Sequence, residues 1–250
     1  MNNKLHEAVM YDRFFEIQRQ PHQRFEHEAG AAVMRPGAPW WVRLHDNARA
    51  GDFFYAFLRE QGAAGRQLVA AQGLADAVMQ AGIRHGLSPV PRGMTAYFLP
   101  NDVPLAASTG TLRAPAPADA AFLSAWIRDF YREGLGEALP AAADSPTADT
   151  APVEAQTKLY VWTPPCEAAP AAMGAIAPAP TALSRLNFIF VPNEKRRAGV
   201  GRALVIALCH AVRAASAMPM LYVYENNDAA VRLYRRVGFV QAGALALWTL

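Results

Sequence analysis

One short turn constrains this chain more than any other feature. The apolar run Leu186-Asn187-Phe188-Ile189-Phe190-Val191 is stopped by Pro192, the pattern of a buried strand. A polar, basic stretch follows from Asn193 to Ala198. Gly199 to Ala215 then sets Leu204, Val205, Leu208 and Val212 on one helical face. The segment Arg196-Arg197-Ala198-Gly199-Val200-Gly201 therefore joins a strand to the start of a helix. The first amides of a helix have no acceptor within it. They point forward with the positive end of the helix dipole, so an anion is favoured there. Glycines at 199 and 201 allow the backbone to approach a ligand closely. Neighbouring arginines add charge-assisted bonds of about 1.5–3 kcal/mol each. A pyrophosphate has the right size and charge.

Glycine at 199 and 201 also has a plainer explanation, tight packing of strand on helix. A dinucleotide fold is a poor fit, because the position that needs a third small residue is Leu204. Only 49 residues follow Gly201, too few for the rest of such a domain. A Walker loop is excluded, since no Gly-Lys-Ser/Thr occurs.

A second cluster follows the strand-like run Met220 to Tyr224. It is Asn227-x-x-Ala230-x-x-Leu233-Tyr234-x-x-x-Gly238-Phe239. With Arg-x-x-Gly-x-Gly at 196 to 201 before it, separated by one helix and one strand, the chain resembles the GNAT acetyltransferase superfamily. The likeness is closest over Leu183 to Val240 and extends weakly back to about Gly110. The lead-in Phe190-Val191-Pro192-Asn193-Glu194 resembles a branch that places a degenerate GNAT-like domain before the catalytic one.

The resemblance implies an α/β fold, a GNAT fold with a mixed central sheet flanked by helices, preceded by a smaller α/β domain. It implies a division into residues 1–105 and a catalytic domain at 106–250. It implies acetyl-CoA as donor, with Phe190 and Val191 offering backbone groups to the pantetheine arm and acetyl carbonyl. Arg196, Arg197, Ala198, Gly199, Val200, Gly201 and Arg202 would cradle the pyrophosphate. Asn227 would contact the pantetheine region and Tyr234 would act as general acid. A splay between the strands Leu186–Val191 and Met220–Tyr224 would admit the pantetheine. Arg197 stands where many members have glycine, which is tolerable if its φ is negative.

The remaining residues set the frame. Hydrophobic residues make up 52% of the 250 and charged residues 18%, enough to bury a real core. A net charge of +3 argues against a dedicated nucleic-acid surface. No apolar stretch reaches about 18 residues without a charge or proline, so no membrane span is expected. The polar start, Met1 to Gln20, is no signal peptide. Cys166 and Cys209 suit a reducing, cytoplasmic setting. His22 and His27 are wrongly spaced for ligands on one helix face, and no metal site is expected.

Helices are expected at Asp52–Gln61, across Arg66–His85 as one or two amphipathic segments, at Asp119–Glu133 and at Asp228–Val237. Strands are expected at Thr95–Leu99, Gly110–Arg113, Leu159–Trp162, Ala172–Ile176, Phe239–Val240 and Ala244–Thr249. The two near 160 and 174 are paired as a hairpin. Ala138–Thr157 reads as a loop.

Acyl transfer from a thioester needs a neutral amine, a donor for the oxyanion and a proton for the thiolate. Tyr234 has a proton to give at neutral pH. A core role is the commoner fate of a tyrosine at helical spacing. The base is a gap: the strand Leu186–Phe190 carries no carboxylate, leaving Glu225, Glu194 or a water chain. The acceptor, a small-molecule or peptide amine, stays open, as does a homodimer. Rival readings are a transferase for another acyl-CoA and a non-catalytic CoA-binding regulatory module.

Overall fold

The computed structural model describes residues 3–19, 22–36, 38–62, 67–136, 157–178 and 182–250. By packing, the chain divides into two units. One holds residues 1–97 with 222–226 and 241–250, and the other 98–221 with 227–240. The expected loop Ala138–Thr157 lies outside the described residues but for Thr157.

In the N-terminal unit, α1 (Asn3–Met10) and α2 (Asp12–Ile17) precede β1 (Gln23–His27), β2 (Gly30–Met34) and β3 (Trp40–Leu44). These strands pair antiparallel in sequence. Then come α3 (Ala50–Gln61), β4 (Gln67–Ala71), α4 (Ala75–Arg84) and β5 (Val90–Phe98). β4 runs parallel to β3. The chain's last strand, β11 (Val240–Thr249), pairs antiparallel with the other edge of β4. The sheet order in this unit is β1-β2-β3-β4-β11-β5. Phe25, Trp40, Phe53, Phe57, Leu68 and Trp248 form its core under α3 and α4.

In the C-terminal unit, β6 (Thr111–Arg113) leads to α5 (Ala120–Asp129), which continues as a π-helical turn, Phe130–Leu135. β7 (Lys158–Thr163), β8 (Ala172–Pro178) and β9 (Leu183–Phe190) form an antiparallel series. α6 (Val200–Ala214) crosses over to β10 (Met218–Tyr224), parallel to β9, and α7 (Asp228–Val237) follows. The order is β10-β9-β8-β7-β6. α6 buries a broad stripe that includes Val200, Leu204, Val205, Leu208 and Val212. Burying one such side chain is worth about 1.5–3 kcal/mol, so its packing does not depend on its termini.

The mixed α/β fold with helices on a large sheet is the expected one. Three element readings change. Gln67–Ala71 is a strand, although the pattern around it suggested a helix. A short apolar run looks the same in both states, and here β3 and β11 pair with its two edges. Val240–Thr249 forms one strand, β11, where two were expected at Phe239–Val240 and Ala244–Thr249. The helix after Pro117 keeps α geometry only to Asp129.

Asp119 anchors that helix. Its carboxylate accepts from Arg113 Nη1 at 2.5 Å and Nη2 at 3.1 Å, and from the Ala116 amide at 2.7 Å. The Arg113 guanidinium holds the carboxyl below its usual range. A carboxyl depressed in the fold stabilises above its unfolded value of about 3.9, and that contribution disappears as pH falls through the folded value. Because Arg113 is partly in solvent, Asp119→Asn should cost only about 1 kcal/mol at pH 7 by urea unfolding. The gap to the native protein should close as pH falls below the usual carboxylate range, through the depressed range of Asp119.

Candidate active site

α6 starts on Gly199, whose φ of +80° is left-handed and whose position offers no capping side chain. The first turn of α6 holds no acidic residue. Among the described residues the amides of Val200, Gly201 and Arg202 meet no backbone or side-chain acceptor, and the first bond of the helix is Ala203 N–H to Gly199 O at 3.0 Å. Residues 196 to 199 are exposed, so the turn is open and not filled by its own side chains.

The two glycines differ in kind. Gly199 is required by its backbone angle. At Gly201 a Cβ would stand 3.5 Å from Val191 Cγ2 and 3.7 Å from Leu233 Cδ2, ordinary contact distances. The fold itself does not demand a bare backbone at 201, which weakens the packing explanation.

The arginines divide as well. Arg196 is engaged: Nε donates to Val191 O at 2.7 Å, Nη2 to Glu133 Oε2 at 2.7 Å, and the guanidinium lies 5.5 Å from the Phe190 ring centroid. Lys195 pairs with Glu167 at 3.1 Å. Arg197 and Arg202 are exposed and have no ion-pair partner among the described residues. Arg197 has φ +63°, so the condition under which arginine would be tolerated there without strain, a negative φ, is not met. The turn needs a left-handed residue there, and arginine takes that conformation at a cost of roughly 1–2 kcal/mol.

β9 is shaped for the same end of the unit. Its ladder with β10 consists of Met218↔Leu183, Pro219↔Ser184 and Met220↔Arg185, and β9 runs on to Phe190 without further β10 pairs among the described residues. On its other edge, Met173 pairs with Phe190 and Ala175 with Asn187, so one residue more stands on β9 than on β8. Phe188 sits in this bulge at φ +51°, and its ring lies 5.0 Å from that of Phe130 and 6.1 Å from that of Tyr131. Sequence pattern alone does not reveal such a bulge, because an apolar run looks the same with or without it.

Tyr234 is buried on α7, with its ring 5.7 Å from that of Phe239. Burial, and secondarily the nearby Cys209 thiol, raises its phenol above the ordinary value of 10.0. Burial likewise pushes the Cys209 thiol up to about 12. His210, next to it, is exposed and bonds the Ala106 carbonyl at 2.9 Å, so the two form no dyad. Asn227 caps α7, its Oδ1 accepting from Ala230 N–H at 3.2 Å.

Phe190, Val191, Arg196 to Arg202, Asn227 and Tyr234 thus all belong to the C-terminal unit. Glu225 does not: it belongs to the N-terminal unit, where its carboxylate fills the space beside Gly93. The carboxylate that does touch the turn is Glu133, which the sequence reading passed over. Its location in a π-helical turn was not legible in the residues.

Residues 168–248 match the family model described as FR47-like protein. No curated protein matches the chain at a significant level. Among solved structures, a Drosophila protein aligns at TM-score 0.66 and 14% identity over 100% of this chain and 97% of its own. A GCN5-related N-acetyltransferase from Kribbella flavida aligns at TM-score 0.61 and 15% identity over 98% and 94%. A GNAT-family acetyltransferase from Colwellia psychrerythraea aligns at 0.56 and 10% over 99% and 95%. At these identities the structures share the fold.

Arg197→Gly should relieve the left-handed strain. Urea unfolding is expected to show a gain of about 1 kcal/mol, and a loss of stability would contradict the strain.

Proposed function

From its place in the GNAT superfamily, we propose that this chain is a CoA-dependent N-acyltransferase that moves an acetyl group from acetyl-CoA directly to a primary amine. The observation that carries the reading is the uncapped, exposed start of α6, with Gly201 bare for no internal reason. Arg197 and Arg202 supply charge without an internal partner. Together these groups suit a diphosphate, the fixed part of any acyl-CoA.

The chain's own residues then have distinct tasks. The amides of Val200, Gly201 and Arg202 bind phosphate oxygens. The unpaired edge of β9 near Phe190 and Val191 offers backbone groups to the arm and carbonyl. One of the two, the Val191 carbonyl, already accepts from Arg196, so the N–H groups are the available donors. The side-chain amide nitrogen of Asn227 can donate, since its oxygen is held by the cap. The acceptor nitrogen attacks the thioester carbon, the C–S bond breaks to release the CoA thiolate, and the nitrogen's proton passes to solvent water as the amide forms. Tyr234 donates to the departing sulfur. A raised phenol against a thiol of about 8.5 makes full transfer uphill, so hydrogen-bond donation is its role. Glu225 is given no step.

The N-terminal unit repeats the order of three antiparallel strands, helix, parallel strand, helix and strand. We read it as the degenerate copy. Its equivalent approach differs in charge: Asp46 Oδ1 accepts from Ala48 N–H at 3.0 Å at the short turn Asn47–Arg49 that leads into α3, and Asp52 lies in the first turn of α3. An acid there repels an anion.

Gly201→Ala should stabilise the fold by about 0.5–1 kcal/mol through helix propensity while weakening CoA binding tenfold or more. Calorimetry with CoA beside a urea titration separates the two; equal affinity would refute the phosphate site. Tyr234→Phe should lower kcat by roughly tenfold to hundredfold with CoA affinity unchanged. Thiol release at full native rate would remove Tyr234 from the chemistry.

A further inference from the structure

Glu133 is the one carboxylate tied directly to the phosphate turn among the described residues. Its Oε2 takes Arg196 Nη2 at 2.7 Å, while the same guanidinium holds Val191 O through Nε at 2.7 Å. One planar side chain thus separates the Glu133 carboxylate from the end of β9. Glu133 rides on the π-helical turn Phe130–Leu135, and π-turns recur where a helix serves a site. The rings of Phe130 and Tyr131 on that turn pack against Phe188 in the β9 bulge. A carboxylate and half-buried aromatic rings therefore share one turn beside the open strand edge. These are the two groups that an amine on an apolar body would meet.

We propose that Glu133 binds the acceptor's ammonium group as it docks, before the nitrogen gives up its proton and attacks, and that Glu133 is held by Arg196 while the phosphate turn is empty and released when a diphosphate claims that guanidinium. This rests on the donor reading given above. The exchange is physically even-handed. The Glu133–Arg196 pair is exposed, with 29% and 40% of the side-chain surfaces in solvent, so it is weak and breakable. A diphosphate carries more charge and binds arginine bidentately. Once freed, Glu133 still faces Arg132, at 3.4 Å on its own turn. Arg132 is itself drawn to Asp129 at 2.5 Å, which leaves the Glu133 carboxylate in need of a cation. A primary ammonium supplies it, and the acceptor therefore docks after the donor.

Arg196, and to a lesser degree Arg132, holds the Glu133 carboxyl below its usual range. Lowering the pH through that range protonates Glu133 and frees Arg196 without any ligand. The competition with CoA is thus greatest at neutral pH and vanishes in acid.

The test compares the native protein with Glu133→Gln, which keeps the shape and removes the charge, after thermal melts show both folded. In CoA calorimetry at pH 7 the variant should bind roughly twofold to fivefold more tightly, since an exposed competitor is gone. That difference should shrink only as the pH falls below the usual carboxylate range, through the depressed range of Glu133. In a second arm, phenethylammonium chloride is the probe, a small molecule with both an ammonium and a ring. Saturation-transfer NMR should show it on CoA-loaded native protein, and not on CoA-free native protein or CoA-loaded Glu133→Gln. Equal CoA affinities for the two proteins overturn the exchange, and a probe that binds none of the three, or all alike, overturns the ammonium site. CoA that fails to bind the native protein removes the donor reading and this inference together, whereas the preceding outcomes leave the donor reading standing.

Discussion

The start of α6 is left chemically unfinished, and the C-terminal unit is organised around that fact. Three amides point out of a helix with no acceptor. A helix usually closes this end with a side chain, as Asn227 does for α7. α6 tolerates the open end because its stripe of buried aliphatic residues supplies its stability independently. Capping would add about 1 kcal/mol and fill the space an anion needs. The surrounding residues make sense as consequences. The left-handed Gly199 starts the helix without a blocking side chain, Gly201 keeps the first turn bare, and the nearby arginines supply charge.

Strain gathers at the same end of the unit. Arg197 and Phe188 both hold left-handed angles, each costing about 1–2 kcal/mol, and they flank the segment from the β9 bulge to the helix. Residues in such angles persist only where their surroundings dictate them. At Phe188 the dictation comes from the extra residue on β9 and the stacking of Phe130 and Tyr131. At Arg197 it comes from the three-residue turn Asn193–Lys195 before it and the glycine start after it.

Much of this was legible in the residues because the information is local. Gly199 and Gly201 at a strand-to-helix junction, and Asn227 before a helix, announce themselves by spacing. The element order over 183–250 follows the same periodicities. What stayed hidden depends on partners distant in sequence. Gln67–Ala71 becomes a strand only because residues 40–41 and 245–249 pair with it. The β9 bulge is a mismatch with β8, invisible in either strand alone. The grouping of residues 222–226, Glu225 among them, with the N-terminal unit depends on contacts far off in sequence. Glu133 reaches the turn from 63 residues away in sequence, a separation no spacing rule covers. The positive φ at Arg197 is invisible in the sequence because arginine rarely takes it.

The two units differ at the corresponding helix start, as the proposed function requires if only one of them binds an anion. Both run three antiparallel strands into a helix and a parallel strand, so both present a helix start at the same topological position. In the N-terminal unit Asp46 caps the turn, and Arg49 is held by Glu28 at 2.6 Å. Asp52 sets a negative charge in the first turn of α3. Each change is a short polar side chain that improves the local helix while removing an acceptor-hungry amide or cancelling a cation. Stability and anion binding draw on the same few groups at a helix start. A copy relieved of ligand binding can satisfy those groups internally, whereas a copy that binds a diphosphate must keep them exposed.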